Sequence, residues 1–191
     1  MVYIRILLFS GLVLHKLVWE LMKRSEGLPD QAKKKPANFG LKSLVKLGKS
    51  LFLLFLIVQT LLLNIFPISD SKLMLQIAGI VIYLVGLALA ITGRIQLGNN
   101  WANLEDYQVL PDQSLVNKGV YRYIRHPIYI GDVLLILGLE LALNSWLVVV
   151  AIILFGFVFS QAKSEEKVLS RAFPGYEEYR KQTKMFIPYL I

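Results

Sequence analysis

The sequence predicts an all-α, polytopic membrane protein of about five transmembrane helices. Three observations point there. Of the 191 residues, 55% are apolar, and the mean hydropathy is +0.56, more than a soluble domain of this length needs. Several apolar stretches approach or exceed the roughly 20 residues that cross about 30 Å of hydrocarbon. Basic residues gather in alternate connections between those stretches, as the positive-inside rule requires.

The first helix is expected over 2–22. Arg5 precedes an apolar run from Ile6 to Leu14, but His15, Lys16 and Glu20 follow without a small-residue cleavage site. The segment therefore reads as a retained membrane helix rather than a signal peptide. Its three polar residues read as packing or snorkelling groups. The second helix is expected over 44–66, purest at 51–58 and stopped by Pro67. The third is expected over 72–97. The fourth, 127–143, and the fifth, 145–161, are short for full spans; Asn144-Ser145 turns between them to make a helical hairpin.

The segment 23–49 carries eight basic residues: Lys23, Arg24, Lys33, Lys34, Lys35, Lys42, Lys46 and Lys49. Lys118, Arg122 and Arg125 precede the fourth helix, and a further basic set follows the fifth. The intervening connections carry only Asp70, Lys72 and the Asn144-Ser145 turn. All three basic segments are thus expected in the cytoplasm, with the N-terminus outside and the C-terminus cytoplasmic; in a prokaryote the membrane would be the inner one. The Lys33–Lys35 run suits topology or anionic head groups, and a membrane-embedded chain argues against nucleic acid. Cysteine is absent, which excludes thiol chemistry and disulfides. His15 and His126 are the only histidines and fall near opposite ends, so no metal is expected. The whole of 1–191 reads as one domain, with three N-terminal helices in 1–96 and a cofactor-binding half in 97–191.

Two cytoplasmic segments carry chemistry. The first includes Gly119-Val120-Tyr121-Arg122-Tyr123-Ile124-Arg125-His126-Pro127-Ile128-Tyr129-Ile130-Gly131-Asp132. Proline is favoured at the first position of a helix, whose N-terminal N–H groups suit a carboxylate or phosphate. Arg125, His126 and Tyr129 add donors beside them. Asp132, near the start of a membrane helix, costs up to about 2.5–3.5 kcal/mol if it faces lipid at depth, so it is expected to face protein, a cation or a ligand. Glu140, about two turns deeper, reads as structural. The second segment, Gln161-Ala162-Lys163-Ser164-Glu165-Glu166-Lys167-Val168-Leu169, follows the point where the fifth helix is expected to emerge. A cytoplasmic extension then ends before Phe173-Pro174-Gly175. Tyr176, Tyr179 and Phe186 form an aromatic tail able to fold back over the site.

GVYRYIRHPIYIG at 119–131 resembles the signature of the isoprenylcysteine carboxyl methyltransferase family and the related phospholipid methyltransferases. SEEKVLSRAFPGYEEYRK at 164–181 resembles its second block, and LGNNW at 97–101 its upstream approach. The resemblance covers about half the chain. It implies S-adenosylmethionine as cofactor, held by Gln113, Ser114, Leu115, Val116, Tyr121, His126, Pro127, Ile128, Tyr129 and Glu165. It also implies a cytoplasmic pocket for that cofactor and a membrane substrate, lipid-like or prenylated, entering between helices; Gln161, at a matched position, and Asp132, singled out by the cost of its carboxylate, are expected as the catalytic, acceptor-side residues. In the isoprenylcysteine enzymes an arginine one turn before the glutamate matching Glu165 contacts the substrate carboxylate; here Gln161 stands there, which can hydrogen-bond but brings no charge. A carboxylate of an isoprenylcysteine, an amine of a phospholipid or another lipid group remain as acceptors. Sterol reductases that use NADPH share an RHPxYxGD-like block, which makes them the alternative, although those proteins are much longer.

Overall fold

In the computed structural model the described residues are 1–25, 39–70, 72–100 and 113–190, with the side chains of 39–42, 45 and 46 excepted. The Lys33–Lys35 run and Trp101 lie outside them. The chain forms α1 Val2–Ser25, α2 Phe39–Leu62, α3 Leu73–Leu97, α4 Pro127–Ala142, α5 Val148–Ala172 and α6 Tyr176–Gln182, with single 3-10 turns at Gly98–Asn100 and Gly119–Arg122. Two isolated β-bridges are the only extended pairing among the described residues. Among the described residues, three helices are long and apolar enough to cross a membrane: α1, α3 with its 3-10 extension, and α5. The apolar part of α2 is shorter, Leu47–Leu62, and α4 has 16 residues. Large apolar side chains such as Leu51, Val81, Ile153 and Phe157 face outward, as lipid-facing helices require.

The residues divide into two compact units, Met1–Ile65 and Phe66–Ile191. In the first, α1 packs on α2 and Arg5 does the work of a C-cap. Its guanidinium donates to the carbonyls of Thr60 (2.8 Å) and Leu63 (2.8 Å) and to Oδ1 of Asn64 (2.7 Å). Thr60 O is among the carbonyls that a helix end leaves without partners, and Leu63 O and the Asn64 carboxamide lie just past that end. Helix α2 therefore stops at Leu62, four residues before the position expected from Pro67.

The second unit is built on the antiparallel pair α3 and α4. Gly79, Gly86 and Gly93 lie seven residues apart on α3, as do Gly131 and Gly138 on α4. A β-carbon at Gly79 would meet the backbone of Ala142, one at Gly86 that of Leu135, one at Gly131 that of Ala90 and one at Gly138 that of Tyr83. Small residues at this spacing let two helices approach along their full length, and within a membrane such close packing, rather than a hydrophobic force, holds helices together. The approach fixes how deep the N-terminus of α4 lies against the end of α3, since Gly93 abuts Pro127 and Ile128.

At the other end of the pair, Asn144 adopts a left-handed backbone (φ 58°), which asparagine tolerates. Its carboxamide donates to Ser69 O (2.7 Å) and accepts from Ser69 N (3.2 Å). Its carbonyl accepts from Ile68 N (3.0 Å). The turn between α4 and α5 is thus tied to the segment that leads into α3. Helix α5 begins at Val148 rather than Ser145 because Ser145 belongs to this turn: its hydroxyl accepts from Leu147 N at 3.1 Å. The helix then continues unbroken to Ala172, eleven residues past the expected exit at Gln161, and ends before Phe173 as expected.

The glycine contacts predict a contrast measurable by thermal unfolding in detergent. Gly138→Val should lower the melting temperature by overpacking worth about 1–3 kcal/mol. Gly156→Ala, where an added β-carbon meets nothing within 4 Å, should leave it unchanged or raise it by up to about 1 kcal/mol of helix propensity.

Candidate functional site

The site is assembled where α4 begins, and its local structure is set from both sides of Pro127. His126 caps α4 and Pro127 occupies the first turn. In a helix that starts there, the N–H groups of Ile128 and Tyr129 have no acceptor within the helix. Upstream, Gly119 takes a positive φ (60°) against the Gln96 carboxamide, leaving no room for a side chain. Gln96 Oε1 accepts from Val120 N at 2.8 Å. The following 3-10 turn buries Tyr121, whose hydroxyl donates to Gly93 O (3.2 Å).

The tail returns to this place. Arg125 N donates to Lys184 O (2.8 Å), His126 N to Met185 O (3.1 Å) and Lys184 N to Tyr123 O (3.2 Å), forming a short parallel bridge. Tyr179 on α6 donates from its hydroxyl to Tyr121 O at 2.7 Å. Burial pushes the phenols of Tyr121, Tyr176 and Tyr179 well above the ordinary tyrosine range, so all three stay protonated, and those of Tyr121 and Tyr179 act as donors. Phe186 packs against His126 and against Phe155 and Phe159 of α5. The aromatic tail does fold over the site.

At the centre are five charged or polar side chains. Tyr129 donates from its hydroxyl to Glu165 Oε2 at 2.6 Å. Arg125 donates from Nε to Glu166 Oε1 at 2.6 Å, and its other nitrogen donates to Thr183 O at 2.6 Å. His126 Nε2 lies 3.2 Å from the same Glu166 Oε1 and Nδ1 lies 3.8 Å from Glu165 Oε2. The imidazole stacks on the Tyr129 ring, 5.3 Å apart and within 4° of parallel. The two glutamates, one residue apart and so about 100° apart on the helix, differ sharply: the Glu165 side chain is 37% exposed and that of Glu166 is 9% exposed.

Of the residues expected from the sequence, the structure brings His126, Pro127, Ile128, Tyr129 and Glu165 to one place. Gln161 is half-buried one turn before Glu165 on the same flank of α5, and its side chain makes no hydrogen bond among the described residues. Asp132 is half-buried one turn into α4 from Tyr129. Gln113 and Ser114 are tied to the end of α3 instead: Gln113 Nε2 donates to Asn100 O (2.9 Å) and Ser114 N to Asn100 Oδ1 (2.5 Å). Leu115, half-buried like Val116, lines a cavity of about 490 Å³ with Arg122, Tyr179, Gln182 and Thr183. Tyr121 is packed beneath the turn, so its ring supports the site from below. Glu166 is the member that sequence reasoning left out of the site, and its signal was adjacency to Glu165; Arg125, expected as a donor at the helix N-terminus, instead spends its guanidinium on Glu166 and Thr183 O.

The sequence pattern of the family described as phospholipid methyltransferase matches residues 74–175. A protein-S-isoprenylcysteine O-methyltransferase of Schizosaccharomyces pombe is 32% identical over 110 residues, covering 54% of this chain and 45% of the relative. A cobalt-zinc-cadmium resistance protein of Cupriavidus metallidurans is 33% identical over 110 residues, covering 56% of this chain and 48% of the relative. The chain therefore spans about half the length of these curated relatives. Among solved structures, the eukaryotic intramembrane Ras methyltransferase, isoprenylcysteine carboxyl methyltransferase, aligns with a TM-score of 0.55 over 98% of this chain and 68% of its own, at 24% identity, which shows the shared fold. The family resemblance read from 119–131 and 164–181 is borne out.

Removing one member of a buried ion pair strands the other, at about 3–5 kcal/mol. Arg125→Ala should therefore lower the melting temperature and also free the tail, since Thr183 O loses its donor. Limited proteolysis should cut the variant between 183 and 190 at protease levels that leave the wild type whole.

Proposed function

The chain belongs to the phospholipid methyltransferase family, and on that premise we propose that it is an integral-membrane methyltransferase using S-adenosylmethionine and acting on a lipid-like or isoprenylcysteine acceptor. The observation that carries this reading is the exposed Glu165 carboxylate. Tyr129 holds one of its oxygens, and the other takes no hydrogen bond among the described residues. It lies beside a helix N-terminus. An amino acid presents an ammonium and a carboxylate together; Glu165 offers the counter-charge for the first, and the first-turn N–H groups of α4 suit the second.

When bound, the cofactor supplies an electrophilic methyl group on a sulfonium. The chain's residues need contribute little acid or base; they hold the donor in line with a nucleophile and exclude water. Tyr129 and His126, stacked, wall one side. Phe155 and Phe159, half-buried on α5 and packed on the buried Phe186, carry an apolar flank from the site along α5, which suits an acceptor with a hydrocarbon chain arriving from the bilayer. The names of several relatives, protein-S-isoprenylcysteine O-methyltransferases, support such an acceptor. Gln161 and Asp132 are read as acceptor-side residues, and Gln113, Ser114, Leu115 and Val116 as a wall toward the cavity. The reading takes 1–191 as one membrane-embedded domain of five spans, N-terminus outside and C-terminus cytoplasmic, supported by the basic segments on alternate connections.

Calorimetry in detergent tests the cofactor. S-adenosylhomocysteine should bind with micromolar affinity and NADPH should not; the reverse would replace this reading with a reductase. Glu165→Ala should weaken S-adenosylhomocysteine by tenfold or more without loss of folding. Gln161→Arg should raise methyl transfer to a farnesylcysteine acid; wild-type activity on that acid already as high as in the variant would show that a neutral residue at 161 suffices.

A further inference from the structure

The second glutamate of the pair is not placed to hold a ligand. Glu166 lies on the inward row of α5 with Phe155, Phe159 and Ala162, one helical turn apart from one to the next. Its side chain is buried, and one oxygen, Oε1, receives both Arg125 Nε (2.6 Å) and the His126 ring at Nε2 (3.2 Å). A carboxylate that faces a guanidinium only accepts hydrogen bonds, so the ring nitrogen it meets must carry the proton. The opposite nitrogen, Nδ1, is then turned toward Glu165 Oε2, 3.8 Å away. Tyr129 stacked on one face of the ring and Phe186 tilted against it allow little rotation.

We propose that Glu166 is a positioning residue: by taking Arg125 Nε and His126 Nε2 on one oxygen, it sets the tautomer and plane of His126 so that Nδ1 and Glu165 frame a single opening at the start of α4. The charged and titratable groups around the ring are Arg125, Glu165, Glu166 and Tyr129, and only Glu165 among the two acids remains open. The division is functional as well as spatial. One carboxylate meets the ligand and its neighbour holds the histidine still, since a first layer of contacts is only as well placed as the groups that support it. The inference rests on the cofactor reading for what the opening holds, but not for how the ring is held.

The chain has two histidines, so selective ¹⁵N-histidine labelling of the full protein in detergent gives two rings, assigned with His15→Gln. Wild-type His126 should carry its proton at Nε2. Glu166→Gln, which keeps an oxygen acceptor, should retain that signature. Glu166→Leu, which keeps bulk and removes the acceptor, should lose it and bind S-adenosylhomocysteine at least tenfold more weakly. A purely structural ion pair would lower the melting temperature of both variants and leave the tautomer unmoved. The proposal is overturned if the neutral wild-type ring is protonated at Nδ1, a result that needs no variant to fold. It is equally overturned if Glu166→Leu matches the wild type in both spectrum and affinity. Wild-type protein that shows the Nε2 signature yet fails to bind S-adenosylhomocysteine overturns the cofactor reading and supports the positioning role.

Discussion

The guanidinium of Arg125 is buried where three segments meet, and the arrangement of the site follows from satisfying it. A charge removed from water must be paired and hydrogen-bonded. Its Nε goes to Glu166 on α5 and its terminal nitrogen to Thr183 O behind α6, while its own backbone N–H goes to Lys184 O. One side chain thus draws the polar C-terminal part of α5 and the segment after α6 onto the start of α4. His126 and Tyr129 then follow by sequence adjacency, and Glu165 follows from Glu166. That chain of consequences explains why α5 continues as a helix well beyond its apolar part: Glu165 and Glu166 reach α4 only if the helix persists to carry them there.

The glycine seam between α3 and α4 supplies the other constraint, and it is of a different kind. Arg125 fixes which side chains meet; the seam fixes at what depth. Backbones in contact from Gly79 to Gly93 on one helix and from Gly138 to Pro127 on the other cannot slide by a residue without placing a side chain where only glycine fits. The N-terminus of α4 is therefore held level with the end of α3, whose Gln96 holds Val120 and whose 3-10 extension holds Gln113 and Ser114. A site that needs groups from both must have this register. The Asn144 turn closes the same hairpin at its other end, so both ends of α4 are held by hydrogen bonds and its middle by packing.

Much of this was legible in the sequence, and what was not has identifiable causes. The start of α4 was read to the residue because proline at a first helical position is a local signal. The extent of α3 was read within a residue for the same kind of reason. The end of α2 was missed because its stop is Arg5, a partner more than fifty positions away that no window on α2 contains. Falling hydropathy put the exit of α5 from hydrocarbon at Gln161 and Phe173-Pro174-Gly175 put the end of its extension, but hydropathy does not show that the two parts form one unbroken helix to Ala172. The glycine seam was written in the seven-residue spacing of Gly79, Gly86 and Gly93, which matches the spacing of Gly131 and Gly138. That signal was available and marks a helix interface by itself. Glu165 was separable from Glu166 only by resemblance, since neighbouring acids look alike until a partner is seen.

The pair of glutamates shows why. Adjacent residues on a helix point about 100° apart, so two acids in a row cannot serve one ligand equally well when the helix is packed on one face. Glu166 takes the packed direction, where a carboxylate is tolerated only because Arg125 and His126 meet it; Glu165 takes the flank, where Tyr129 holds one oxygen and leaves the other open. Gln161, one turn earlier on that flank, makes no hydrogen bond among the described residues, so that flank keeps one carboxylate oxygen and one amide unengaged. The inward row is settled by folding in a way that the flank is not. A neutral amide at 161 can hydrogen-bond to a group brought against that flank but gives it no fixed positive charge, as a guanidinium there would.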